Sequence, residues 1–128
     1  MVGKTEVNIY IGTTSIYTCL GNKFETLAAM NRGRGGLSFN KQFSMFTGSL
    51  EVEMMETYTR FESLMIDQLI EVLSRTNIKL SDPSVQLIIS TTKGNVELLE
   101  EDVDHPSERT FLYTSAELVA ARFSASNP

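Results

Sequence analysis

A chain of 128 residues, 41% hydrophobic and 21% charged, has the length and make-up of one globular domain, with no linker, repeat or low-complexity tract to divide it. A net charge of −5 argues against a nucleic-acid binder, which is normally basic, and no apolar run approaches the ~20 residues of a membrane helix. A single cysteine, Cys19, rules out an intrachain disulfide; with no signal-peptide pattern at the start, the expectation is a cytoplasmic protein.

Residues 7–12, Val-Asn-Ile-Tyr-Ile-Gly, are β-branched and weakly alternating, which predicts a first strand ending in Gly12-Thr13-Thr14-Ser15. Cys19 falls in the loop beyond. A nucleophilic cysteine needs a base or a helix N-terminus to form its thiolate, and the one histidine, His105, is remote in sequence. Cys19 therefore reads as a small buried hydrophobe. Asn22 and Glu25 stand at capping-box spacing and open a helix over 23–31, with Phe24, Leu27 and Ala28 on one face. Gly33-Arg34-Gly35-Gly36 stops it. A glycine loop flanked by Arg32 and Arg34 has some of the makings of a phosphate cradle. The lysine and following helix of a P-loop are missing, so a plain connection is the better reading.

Residues 43–51 read as an edge strand or irregular crossing. Over 58–76 the apolar residues Phe61, Leu64, Met65, Leu69, Val72 and Leu73 follow a helical rhythm, with Asn77 as the stop and Ser81-Asp82-Pro83 as a turn. Met54, Met55 and Met65 read as packing residues. Residues 85–89, Val-Gln-Leu-Ile-Ile, lack clean alternation, the habit of a central parallel strand buried on both faces. They give way to Ser90-Thr91-Thr92-Lys93-Gly94-Asn95. Ligand sites in open α/β sheets gather beyond the carboxyl ends of strands, so Thr91, Thr92, Lys93, Gly94 and Asn95 are the candidate pocket or interface residues. The competing reading of the same residues is an ordinary turn. The acidic run 100–104 beside His105 reads as a solvated loop, since a metal site would want a second histidine. No cofactor is implied. A last helix, starting at Ser107 or Thr110 and running to Phe123, carries Leu112, Ala116, Leu118, Val119 and Phe123. The expected fold is α/β, a mixed, mostly parallel sheet that includes residues 7–11 and 85–90, flanked by helices. Leu64, Leu69, Leu73, Leu87 and Ile89 are the expected core.

Taken in order, these pieces resemble the N-terminal half of the β-ketoacyl-acyl-carrier-protein synthases, a family with the thiolase fold. Residues 7–21 are similar to the family's opening strand and glycine-serine loop, 22–36 to its first helix and turn, and 46–50 to the short strand beyond. Residues 60–77 resemble its long helix, and 85–94 the strand and small-residue loop that run toward the subunit interface. The resemblance implies a 3-oxoacyl synthase of fatty acid or polyketide synthesis. The whole enzyme would condense an acyl thioester with a malonyl group on acyl carrier protein, as a dimer. Family members carry a cysteine nucleophile after the next strand and further catalytic groups in the second half. Cys19 matches the opening loop instead, so the resemblance places no catalytic residue in this chain. The expectation is a portion that stops before the nucleophile strand, inactive alone, and in need of a C-terminal half or a second copy to cover its apolar surface. A non-catalytic dimerisation module of the same fold and an unrelated small α/β ligand-binding protein remain the alternatives.

Overall fold

The computed structural model describes residues 9–99 and 107–126. The described chain mixes helices with short strands, as the sequence pattern suggested. Strands β1 (Tyr17–Thr18) and β2 (Gly21–Asn22) lead into helix α1 (Lys23–Asn31), followed by β3 (Ser38–Asn40) and β4 (Met45–Thr47). Helix α2 (Arg60–Leu73), 3-10 turns at Val96–Leu99 and Glu108–Thr110, and helix α3 (Leu112–Arg122) complete the order. Among the described residues only sequence neighbours pair. β1 joins β2 and β3 joins β4, both antiparallel, in two separate two-stranded ribbons.

The mostly parallel core expected from residues 7–11 and 85–90 is therefore not formed among the described residues. Val7 and Asn8 lie outside them, and Ile9, Tyr10 and Ile11 belong to no ladder, with 91%, 83% and 86% of their surface exposed. Residues 85–90 likewise form no strand. Their burial alternates: Val85, Leu87 and Ile89 are half-buried, while Gln86, Ile88 and Ser90 are exposed. One side of this segment rests on the protein and the other is open. The physical reason is a shortage of partners. A strand buried on both faces needs a neighbour along each edge, and the two- and three-residue strands among the described residues pair only within their own hairpins.

Where a signal is local, the chain follows it closely. The Asn22 side chain accepts from the backbone N–H of Phe24 (2.9 Å) and Glu25 (3.2 Å), and Glu25 Oε2 accepts from Asn22 N (2.9 Å), a complete capping box. At the other end Gly33 takes φ +66°, Gly33 N donates to Met30 O (2.9 Å) and Arg34 N to Ala29 O (2.9 Å). That is a Schellman closure, which favours glycine at the left-handed position. It also spends two of the glycine loop's N–H groups on helix carbonyls, which removes them from any phosphate cradle. The face of α1 is not a core face, however: Phe24 is 67% exposed and Leu27 48%. The 43–51 segment resolves into β4 and the turn before it. Asn40 Oδ1 accepts from Gln42 N and Phe43 N across the 41–44 turn, where Ser44 sits at φ +51°.

Helix α2 begins and ends inside the expected 58–76, with Thr59 as N-cap and Ser74 as C-cap. Its buried residues are Glu62, Ser63 and Ile66, whereas Leu64, Leu69 and Leu73 are half-buried, as are Leu87 and Ile89. The helix packs against α3, whose buried residues are Ser115, Val119 and Ala120. The buried apolar core of the described residues is small: Ile66, Leu80, Val119 and Ala120. Leu112 is exposed, and Ala116, Leu118 and Phe123 are half-buried. Accessible surface totals 10205 Å², against roughly 6,800 Å² for a closed monomer of this mass. Ile9, Ile11 and Ile88 (79%) are among the apolar side chains that contribute to the excess. No helix among the described residues is long and apolar enough to cross a membrane.

Ile66, not Leu69, is the apolar side chain of α2 that is fully buried. Ile66→Ala is expected to cost about 2–5 kcal/mol as a core truncation, and Leu69→Ala distinctly less, in parallel urea titrations. Equal losses would mean that the buried stripe of α2 is centred elsewhere.

Candidate functional site

The first turn of α2 is built by a second capping box. Thr59 Oγ1 accepts from Glu62 N (3.2 Å), and Glu62 Oε2 accepts from Thr59 N (2.9 Å). This box differs from the one on α1 in being buried, with Glu62 at 0% and Thr59 at 8% exposure. A buried carboxylate needs more than one donor, and three further segments supply them. Asn95 Nδ2 lies 3.0 Å from Glu62 Oε1, Ser115 Oγ donates to the same oxygen (3.1 Å), and the Arg109 guanidinium pairs with Glu62 Oε2. Asn95 is itself enclosed: Thr59 Oγ1 donates to its Oδ1 (2.5 Å), while Arg109 O (2.7 Å) and Ser115 Oγ (2.8 Å) lie within reach of its Nδ2. Arg109 also donates through Nη1 to Thr57 O (3.4 Å), and its Nε is buried with no partner among the described residues.

Of the five candidate residues, the structure draws only Asn95 into this cluster. Thr91 Oγ1 accepts from Lys93 N and Gly94 N (both 3.2 Å), closing a tight turn that Gly94 completes at φ +58°. Thr92 and Lys93 are exposed. The loop thus presents one anchoring side chain inward and two polar side chains outward, and it frames no cleft of its own. Asn95 fixes the loop to α2 and α3. The acidic run 100–104 and His105 lie outside the described residues, and no group of three or more potential metal ligands occurs among the described ones.

Burial pushes the Glu62 carboxyl up, but the donors from Thr59 N, Asn95, Ser115 and Arg109 together outweigh it and hold the group below its ordinary value of 4.5. Both oxygens are occupied and neither meets solvent, so Glu62 is placed to clamp rather than to exchange protons with a substrate. The cleft nearest to this turn is a separate, open one of about 700 Å³, lined by residues that include Tyr17, Glu51, Arg60 and Asp67. Arg60 reaches across it to the Leu50 carbonyl, and Tyr17 Oη donates to Glu51 O (2.6 Å). Two backbone carbonyls there are already taken by the chain's own side chains.

Cys19 occupies the turn between β1 and β2. The residue is exposed, not the buried hydrophobe expected, yet its sulfur lies against the chain: a methyl at Gly36 would overlap Sγ, and one at Gly48 would come within 2.8 Å of it. The sequence reading missed Glu62, Arg109 and Ser115. The Thr59-x-x-Glu62 signature was available to flag the first. The other two carry no local signal.

Stability should follow the protonation of Glu62. Its carboxyl is depressed in the folded state, so its contribution is fully present above the unfolded value and is lost as pH falls through the lower folded value. Melting temperature should drop below pH about 4.5. Glu62→Gln should be less stable by about 1–3 kcal/mol near neutral pH, since Arg109 is partly exposed and is not left buried unpaired, and should lose much of that acid-dependent slope. A slope identical in the variant would mean that other carboxylates set the acid limit.

Comparison with protein-family models, with curated proteins and with solved structures returned no match.

Proposed function

We propose that this chain is the N-terminal portion of a β-ketoacyl-acyl-carrier-protein synthase-like protein, and that its role is architectural. In this reading it supplies helices, sheet segments and the 91–95 interface loop to a condensing enzyme whose nucleophile comes from elsewhere. The observation that carries the reading is the pair of apolar segments without ladder partners, residues 9–11 and 85–90, with Ile9, Ile11 and Ile88 more than three-quarters exposed. Segments so rich in Ile and Leu favour strand pairing, and unpaired backbone edges are templates for it. Completion by further chain would add the partners that a mostly parallel, thiolase-like sheet requires. It would also cover a surface larger than the few hundred Å² of apolar patch that monomers usually tolerate.

The complete enzyme would join an acyl thioester to a malonyl group delivered by acyl carrier protein, with loss of carbon dioxide. Cys19 has no part in that step: its sulfur is set against Gly36 and Gly48 at the base of a hairpin. The alternative of a dimerisation module rests on the same open surface, with a second copy as the cover.

Light scattering at micromolar concentration should find an assembly larger than one chain, and Cys19→Ala should leave both that assembly and the absence of malonyl consumption unchanged. The reading frame expressed with any downstream coding sequence should consume malonyl thioester. A clean monomer that binds no hydrophobic dye would overturn the proposal, because the surface it invokes would then be closed.

A further inference from the structure

The hairpin of β3 and β4 combines exposed apolar side chains with a local excess of cations. Residues 26–50 contain no Asp or Glu, although the chain has 16 of them, and they include Arg32, Arg34 and Lys41. All three are exposed. A chain of net charge −5 thus carries one segment that is wholly cationic. The same segment displays Leu37 (64%), Phe39 (56%), Phe43 (62%), Met45 (56%) and Phe46 (68%).

These side chains are not one face of a sheet awaiting a cover. The register sets Phe39 opposite Phe46 and Asn40 opposite Met45, and successive strand residues point to opposite sides. Phe46 and Met45 are both more than half exposed, so the hairpin stands clear on both faces. Phe39 and Phe46 hold each other edge-on, with ring centroids 5.5 Å apart. The tip is stiffened by Asn40 Oδ1, which accepts from Gln42 N and Phe43 N. Those two donors would otherwise resist entry into an apolar medium. At the base, the Cys19 sulfur sits against Gly36 and Gly48, which lie just before β3 and just after β4.

We propose that the β3–β4 hairpin docks this protein on an anionic lipid surface, with Phe43, Met45 and the Phe39–Phe46 pair entering the headgroup boundary and Arg32, Arg34 and Lys41 contacting lipid phosphates. A folded protein partner covers one side of a ribbon. A fluid interface surrounds both, which is what a tip with apolar side chains on two faces requires. Charge selects the lipid: cations near an anionic leaflet bind it additively, and the nearest carboxylates in the chain, Glu25 and Glu51, flank the cleft beside Cys19 at the base of the hairpin and not its tip. None of these residues belongs to the two unpaired segments on which the condensing-enzyme reading rests, so either reading can fail without the other.

The chain has no tryptophan, so Phe43→Trp provides a single reporter at the tip. Adding vesicles of phosphatidylcholine with 30% phosphatidylserine, roughly the anionic fraction that gives a strong surface potential, should shift its emission to the blue and allow quenching by brominated acyl chains. Vesicles of phosphatidylcholine alone should not. Replacing Arg32, Arg34 and Lys41 together by Ser should weaken co-sedimentation with the anionic vesicles by roughly a hundredfold, from three cations lost. Replacing Lys79 and Arg122, which lie outside the hairpin, should leave it within a few-fold. Phe43→Ser with Phe46→Ser should make the remaining binding far more sensitive to salt. Unchanged helical circular dichroism in each variant excludes unfolding as the cause of lost binding. No spectral shift with anionic vesicles, or equal binding by the triple-Ser variant, would overturn the proposal. Retention on immobilised polyglutamate without vesicle binding would overturn it in favour of an acidic protein partner.

Discussion

A carboxylate with no surface in contact with water has to be met by donors on every side, and Glu62 is met by four: Thr59 N, Asn95 Nδ2, Ser115 Oγ and the Arg109 guanidinium. Because those donors come from the helix's own cap, the 91–95 loop, the turn at Glu108–Thr110 and helix α3, satisfying one charge fixes four pieces of chain. The apolar core alone is a weak organiser here, with Ile66, Leu80, Val119 and Ala120 as its buried members among the described residues. Asn95 and Ser115 take the central positions that aliphatic side chains hold in most small domains. A polar centre of this kind is directional. It specifies one arrangement of its segments, whereas an apolar contact of equal size tolerates several.

The cost appears at the periphery. With burial spent on a polar hub, the apolar segments at 9–11 and 85–90 stay open, and the surface exceeds that of a closed monomer by roughly half. Helix α1 meets α2 through a cationic contact, Arg75 over the Phe24 ring at 5.9 Å, and such an exposed contact contributes little. The segment ahead of β1 is held separately, by Ser15 Oγ, which lies 2.6 and 2.5 Å from Gln68 and Glu71 of α2. The hub would hold its form in isolation better than the outer segments would, and those are the places where added chain has most to gain.

What could be read from the sequence was what is decided within a few residues. The Asn22–Glu25 box set the start of α1, Gly33 set its end, and the spacing of Leu118, Val119 and Phe123 marked α3. Cap geometry is local, so its signal is local. The partners of Glu62 stand 33 to 53 residues away along the chain, and nothing in the residues around Asn95, Arg109 or Ser115 announces that they converge. The run at 85–90 misled for a related reason. Its composition reports that it favours burial, but a strand exists only where another strand pairs with it, and none of the described strands does. Helix α2 shows the same division. The apolar stripe located the helix, while the side it buries was chosen by the capping box that its first turn shares with distant donors.

Native-state hydrogen exchange in Asn95→Ala tests the role of the hub most directly. Asn95 touches the α2 cap, Arg109 and Ser115 at once, so its removal should loosen all three together. The account predicts a common loss of protection, about 1–3 kcal/mol, at the amides of Glu62 and Ser63, of Thr110 and of Ser115. Loss confined to residues 91–95, with the amides of α2 and α3 unchanged, would contradict it.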